Sequence, residues 1–149
     1  MKISTKGDYA TRALQDLALH YDNGPVPTET IAHRQALPVR YLEQLLLTLK
    51  RAGFLASKRG ANGGYYLAKP PREITLGQII RAVDGPIAPI FCCVSGAPRE
   101  LCSQETICAL REVWAEVRDA VSAIVDHRTL ADICERIRAK GKERVTYQI

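Results

Sequence analysis

The chain has 149 residues, 46% of them apolar and 25% charged, with a formal net charge of +5. This suits one compact domain or a small domain with an appended helical arm, and it excludes a disordered or low-complexity chain. No stretch approaches the roughly 18 uninterrupted apolar residues of a membrane span, and the opening MKISTKGDYATRAL lacks an apolar core of signal-peptide length, so a cytoplasmic protein with no membrane partner is expected. The charge is segregated. Residues 1–85 carry 12 Lys and Arg against 7 Asp and Glu, whereas residues 86–149 carry 9 against 9, which points the first part at a polyanion.

From about Thr5 to Tyr21, small or apolar residues recur at Ala10, Ala13, Leu14, Leu17, Ala18 and Tyr21, the stripe of an amphipathic helix. DNGPVP breaks the chain, and Thr28 is placed to cap a short second helix running to about Gln35. After ALP, Pro38 suits the first turn of a third helix whose stripe is Leu42, Leu45, Leu46 and Leu49 and which Gly53 can close. A short helix, a tight turn and a second helix make a helix-turn-helix. FLAS and YYLA flank a Gly-rich loop and read as a hairpin wing, and Thr75 then caps a helix with Leu76, Ile79, Ile80 and Val83 on one face, ended by DGP. The expected fold is mainly α with a small β-hairpin wing: a winged helix-turn-helix domain over residues 1–85, followed by a long C-terminal dimerisation helix.

If the four leucines of the third helix point inward, Arg40, Gln44, Thr48 and Arg51 lie on its opposite face, with Tyr41 at the border. Arg and Gln can each donate to two acceptors on a base edge in the major groove, and the others suit phosphate or sugar. Lys58 and Arg59 stand at the wing, where an Arg can enter a narrow minor groove. Double-stranded DNA is the expected partner. Further on, Ile107, Leu110, Trp114, Val117, Val121 and Ile124 are spaced 3, 4, 3, 4 and 3 apart, a heptad seam suited to a symmetry mate. The expected divisions are a cysteine-rich loop at 86–108, the dimerisation helix and a terminal helix within 105–140, and a tail at 141–149.

FCCVSGAPRELCSQETIC, residues 91–108, holds four of the five cysteines, while Cys134 falls on the apolar side of a helix and reads as core. In a reducing compartment, clustered thiols point to metal binding or redox chemistry rather than structural disulfides. His20, His33 and His127 are scattered and pair with no nucleophile, so no enzyme is expected.

From MKISTKGDYATRAL through YLEQLLLTLKRAGFLASKRGANGGYYLAKP and ITLGQIIRAVDGPIAPI to the cysteine loop and the helix after it, the chain resembles the IscR and NsrR type of winged-helix transcription regulators, over roughly residues 1–140. The resemblance implies a homodimer on a pseudo-palindromic operator, acting as repressor or activator, with repression the expectation taken here. Many such proteins hold a 2Fe-2S or 4Fe-4S cluster in this loop and use it for redox or iron sensing. Carried over by position, the ligands are Cys92, one residue after GPIAPI, then Cys102 and Cys108, with Cys93 in a place that is usually apolar. Irregular spacing of thiolates in a loop suits a cluster better than a single zinc ion, and no C-x2-C pair is present. The His that ligates in IscR-like proteins, three residues after the last cysteine, is replaced by Arg111, which has no lone pair to donate. NsrR-like proteins, of the 4Fe-4S branch, use a carboxylate near the start of helix one, and Asp8 stands there. Asp8 is thus the candidate fourth ligand, with Cys93, solvent or an exogenous thiol as alternates. The competing reading is a zinc- or thiol-based regulator without a cluster, or with no metal at all, signalling through a partner protein.

Overall fold

The computed structural model describes residues 2–97 and 108–146. It comprises α1 (Thr5–Leu19), α2 (Thr28–Gln35), α3 (Val39–Arg51), β1 (Leu55–Lys58), β2 (Gly64–Leu67), α4 (Leu76–Asp84), α5 (Ala109–Asp126) and α6 (Leu130–Thr146), with single 3-10 turns at Tyr21–Asn23, Pro71–Glu73 and Phe91–Cys93. The expected class, helical with a two-stranded wing, is the observed one. No helix among the described residues is long and apolar enough to cross a membrane.

The Ser4 side chain starts α1 by accepting from the Gly7 N–H. Ala10, Ala13, Leu14, Leu17 and Ala18 then form the centre of the core. α1 ends two residues short of Tyr21, which is exposed and opens a 3-10 turn. Two caps also differ from expectation. Pro27, not Thr28, is the N-cap of α2, and Pro38 is the N-cap of α3 rather than a first-turn residue. Both prolines are in extended backbone that their rings favour, and their carbonyls accept the first helical N–H bonds at Ile31 and Leu42.

Leu42, Leu45, Leu46 and Leu49 are all buried beneath α1 and α2. The strands pair antiparallel, Leu55 with Leu67 and Lys58 with Gly64. Val26, in the linker between α1 and α2, exchanges both backbone hydrogen bonds with Tyr65 at 2.8 Å, which pins the wing to the helical body. Gly64 lies so close to the Val26 backbone that a side chain there would overlap it.

α4 begins with a reciprocal capping box between Thr75 and Gln78. Its start is fastened to the α5–α6 turn, since Leu76 N–H donates to Arg128 O and Leu130 N–H to Ile74 O, both at 2.9 Å. α6 then packs on α1. Leu130 and Cys134 join the core built around α1, and burial pushes the Cys134 thiol above its ordinary range. The core therefore draws on residues well beyond position 85, and helix continues through 141–146, where the sequence suggested a tail.

The Arg81 guanidinium meets the Asp126 carboxylate at 2.5 and 2.9 Å, tying α4 to the end of α5. Gly77, one turn earlier on α4, has no side chain because a Cβ there would overlap that same carboxylate. Gly77→Ala is expected to break the Arg81–Asp126 pair and cost about 1–3 kcal/mol, read as a fall in thermal midpoint. The bonds from Arg81 hold the Asp126 carboxyl below its ordinary pKa. A carboxyl whose folded pKa lies below its unfolded value contributes stability that is complete above about pH 4 and is lost as pH falls through the folded value. Asp126→Asn is expected to flatten the acid limb of a melting-temperature series below about pH 4 and to leave its slope near neutrality unchanged.

Candidate nucleic-acid interface and cysteine site

The leucine stripe of α3 turns Arg40, Tyr41, Gln44 and Arg51 outward, all exposed, with Thr48 half-buried. Thr48 Oγ1 donates back to Gln44 O at 3.1 Å, so its hydroxyl is partly engaged within the helix. Tyr41 stands edge-on to Tyr9 of α1, ring centroids 5.7 Å apart, and Arg12 lies over the other ring at 5.9 Å. Lys58 and Arg59 are exposed at the end of β1. Lys50, at the end of α3, donates to Ser57 of β1 at 2.6 Å and joins α3 to the hairpin.

A buried acid beneath this surface carries no signal in the periodicity beyond its place in the α1 stripe. Asp16 is only 1% exposed. Its Oδ1 accepts from Gln35 Nε2 at 3.1 Å, and its Oδ2, which receives no aligned hydrogen bond, lies 3.2 Å from the Arg34 guanidinium. Arg12 donates to Gln35 O. Two residues at the end of α2 are thus held to α1 by charge, just before the turn at Ala36, whose φ of +51° is unusual for a residue with a side chain. An acid three residues after Ala13 in an otherwise apolar stripe was the available clue.

The cysteine site is built at the head of α5. Cys92 and Cys108 are half-buried, Cys93 is 1% exposed, and Cys102 lies outside the described residues, as does Ile107. Arg111 joins the two described candidate ligands: its backbone N–H donates to Cys108 O at 3.1 Å and its Nε donates to Cys92 O at 3.3 Å. Among the described residues no three His, Cys, Asp or Glu side chains gather as a metal-holding group. Chemically the described thiols suit an iron-sulfur cluster, because thiolate is its ordinary ligand and Cys92 and Cys108 are both half-buried near the head of α5. Cys93 fits this role less well, its thiol being in the interior and donating to Arg111 O at 3.7 Å. Asp8 is exposed in the first turn of α1 and pairs with Arg12 at 3.7 Å. That turn is anchored by Ser4, whose N–H and hydroxyl both donate to Asp84, at the end of α4.

The outer face of α5 is apolar and uncovered. Leu110 is 69% exposed and Ile124 63%, Trp114 and Val117 are also exposed, and Val121 is half-buried.

A family model described as Rrf2, iron-dependent transcriptional regulator, matches residues 3–136. The chain belongs to the Rrf2 family of transcriptional regulators. Among Rrf2-type relatives, the HTH-type transcriptional regulator CymR of Bacillus subtilis is 41% identical over 133 residues, 89% of each chain. The solved structure of CymR, described as the global cysteine regulator of B. subtilis, superposes with a TM-score of 0.77 at 40% identity, covering 91% of this chain and 98% of that one. IscR of T. potens superposes with a TM-score of 0.74 at 39% identity, covering 92% and 88%.

The Asp16 network gives a direct expectation. Asp16→Ala leaves the Gln35 amide and the Arg34 guanidinium without their buried partner and is expected to cost about 1–3 kcal/mol. Asp16→Asn, which keeps an acceptor for Gln35, is expected to cost less, as read by urea titration of each variant.

Proposed function

We propose that this Rrf2-family regulator acts as a homodimer on a pseudo-palindromic operator and that an iron-sulfur cluster held by Cys92, Cys102 and Cys108 controls its DNA binding. The observation that carries the reading is the convergence on one helix: Arg111 brings the backbones of Cys92 and Cys108 to the head of α5, and the same helix presents the uncovered apolar face. A partner helix laid along Leu110, Trp114, Val117 and Ile124 would remove that face from water. It would also set two α3 helices at half-site spacing.

Within each protomer, Arg40 and Gln44 read base edges, while Thr48, Arg51 and the wing residues Lys58 and Arg59 contact phosphate, sugar or the minor groove. Tyr41, braced by Tyr9, fixes how α3 meets the backbone of the duplex. When bound, the cluster supplies a linkage between thiolates that responds to iron and oxidants. Asp8 is the fourth ligand in this reading. Its exposure and its distance in sequence from the loop suit donation from the partner subunit, which would tie one reading head to the other chain's cysteine loop. The competing arrangement is a zinc- or thiol-based regulator without a cluster, and iron analysis separates the two.

Arg40→Ala and Gln44→Ala are each expected to relax base preference and to cost about 1–3 kcal/mol where a two-point base contact is lost. Arg59→Ala should weaken binding with less effect on preference. Fluorescence anisotropy titrations against operator and scrambled duplexes, repeated across a salt series, measure all three, and unchanged affinity and preference in the α3 variants would put the reading face elsewhere.

Trp114→Glu is expected to shift sedimentation from dimer to monomer. Anaerobically purified protein should be coloured and contain iron and acid-labile sulfide. Cys102→Ala should abolish both, and Asp8→Ala should leave a more labile cluster. Typical coupling between two sites changes affinity by roughly 5- to 150-fold, so loaded and cluster-free protein should differ on operator DNA within that range. Equal affinity in the two forms, or colourless protein holding only zinc, would defeat the cluster reading.

A further inference from the structure

We propose that Arg111 and Arg118 form a latch that seats the Cys92–Cys93 turn on α5 before any cluster is bound, which keeps Cys92 beside the helix end bearing Cys108 and makes Cys93 a structural thiol rather than a ligand. The latch is built on a short backbone turn. Phe91–Cys93 is a single 3-10 turn, in which Cys93 N–H donates to Ile90 O at 3.1 Å and Val94 N–H to Phe91 O at 3.0 Å. Past these bonds the turn presents the carbonyls of Cys92 and Cys93 toward α5.

Two guanidinium groups from α5 take them. Arg111 Nε donates to Cys92 O at 3.3 Å, and Arg118 Nη1 donates to Cys93 O at 2.8 Å. Residues seven apart lie on one face of a helix, two turns from each other, so adjacent carbonyls of a short turn can be gripped by successive arginines of one helix. The Cys93 thiol closes the arrangement by donating to Arg111 O at 3.7 Å. Arg118 is itself aimed by Asp119, whose Oδ1 lies 2.7 Å from both Nε and Nη2. Bonds from a fixed cation to a carbonyl are stronger than neutral ones, and none of these contacts uses a cysteine sulfur as a metal ligand.

The latch also gives Arg111 a purpose that its failure as a metal ligand does not. Its backbone N–H holds Cys108 O while its side chain holds Cys92 O, so a single residue spans the start and the end of the loop. A cavity of about 440 Å³ bordered by Cys93, Val94, Arg118 and Ser122 lies next to the turn, which gives the turn room to move once the arginines are removed.

The seating of the turn is independent of the cluster, whereas the positioning of Cys92 rests on the cluster reading above, and the test separates them. Cluster-free protein under anaerobic conditions is alkylated with iodoacetamide and the rate at Cys93 is followed by peptide mass spectrometry. Slow labelling is expected in the native chain. Arg111→Met and Arg118→Met, which keep the stem of the side chain and remove the donors, should each raise the rate at Cys93 by about tenfold, and Arg111→Lys, which keeps a donor, should restore much of the protection. Far-UV circular dichroism should be unchanged, because α5 contributes no buried side chain to the core. In reconstituted protein, the loss of visible absorption to a ferrous chelator should be several-fold faster in Arg111→Met than in the native chain or in Arg111→Lys.

Rapid labelling of Cys93 in the native chain, or rates in the Met variants equal to it, would overturn the latch. Faster labelling with unchanged cluster loss would overturn the positioning of Cys92 and keep the seating. If native protein takes up no iron or sulfide, the cluster reading and the positioning claim fail together, and the alkylation rates still decide the latch.

Discussion

No side chain of the 18-residue α5 is fully buried, so burial within its own chain holds it only weakly, and the arrangement of this protein depends on what else holds α5. Polar ties at its two ends do so. Near the head, Arg111 and Arg118 grip the cysteine turn. At the foot, Arg81 grips Asp126, and the backbone pairing around Thr75 and Thr129 joins the α5–α6 turn to the start of α4. Exposed ion pairs are individually worth little, so the geometry relies on several acting together and on the apolar face being left for another surface. The cysteine turn and the start of α4 are thereby both attached to α5.

The reading unit is built on the opposite principle. α1 runs through its middle, touching α2, α3, β2, α4 and α6, and apolar residues of these elements and of β1 complete the core. Polar contacts there refine position rather than hold the fold. Asp16 orients the end of α2, Tyr9 braces Tyr41, and Val26 pins the wing. Each acts close to a residue proposed to meet DNA, which places the burial of a charge where orientation matters most.

Much of this was legible in the residues. The four leucines of α3 at helical spacing specified both the core face and the exposed face, because that period admits one buried stripe. The cap at Thr75 and the Gly-rich wing were equally readable, since each satisfies a local backbone requirement. Caps at Pro27 and Pro38 were misread by one residue, as a proline suits either side of a helix start. What could not be read was long-range and polar. A guanidinium bonded to a carbonyl, as Arg111 is to Cys92, leaves no pattern in sequence, since every residue has a carbonyl. For the same reason the pairing of Arg81 with Asp126, 45 residues apart, was not foreseen. The place of α6 was hidden differently: Leu130 and Cys134 announced an apolar side, but nothing in their spacing said that α1 would be the surface they cover.

That last contact has a consequence for how the protein is made. α1 is synthesised before α6, yet Leu130 and Cys134 complete the core that α1 begins. Synthesis proceeds from the N-terminus at about 5–20 residues per second, so the stripe of Leu14 and Leu17 waits many seconds for its final cover. During that interval the nascent chain has its basic surface but not a closed core. Long-range closure of this kind slows folding. It also means that a chain released early, before α6, lacks part of the packing around α1 that holds α3 in place.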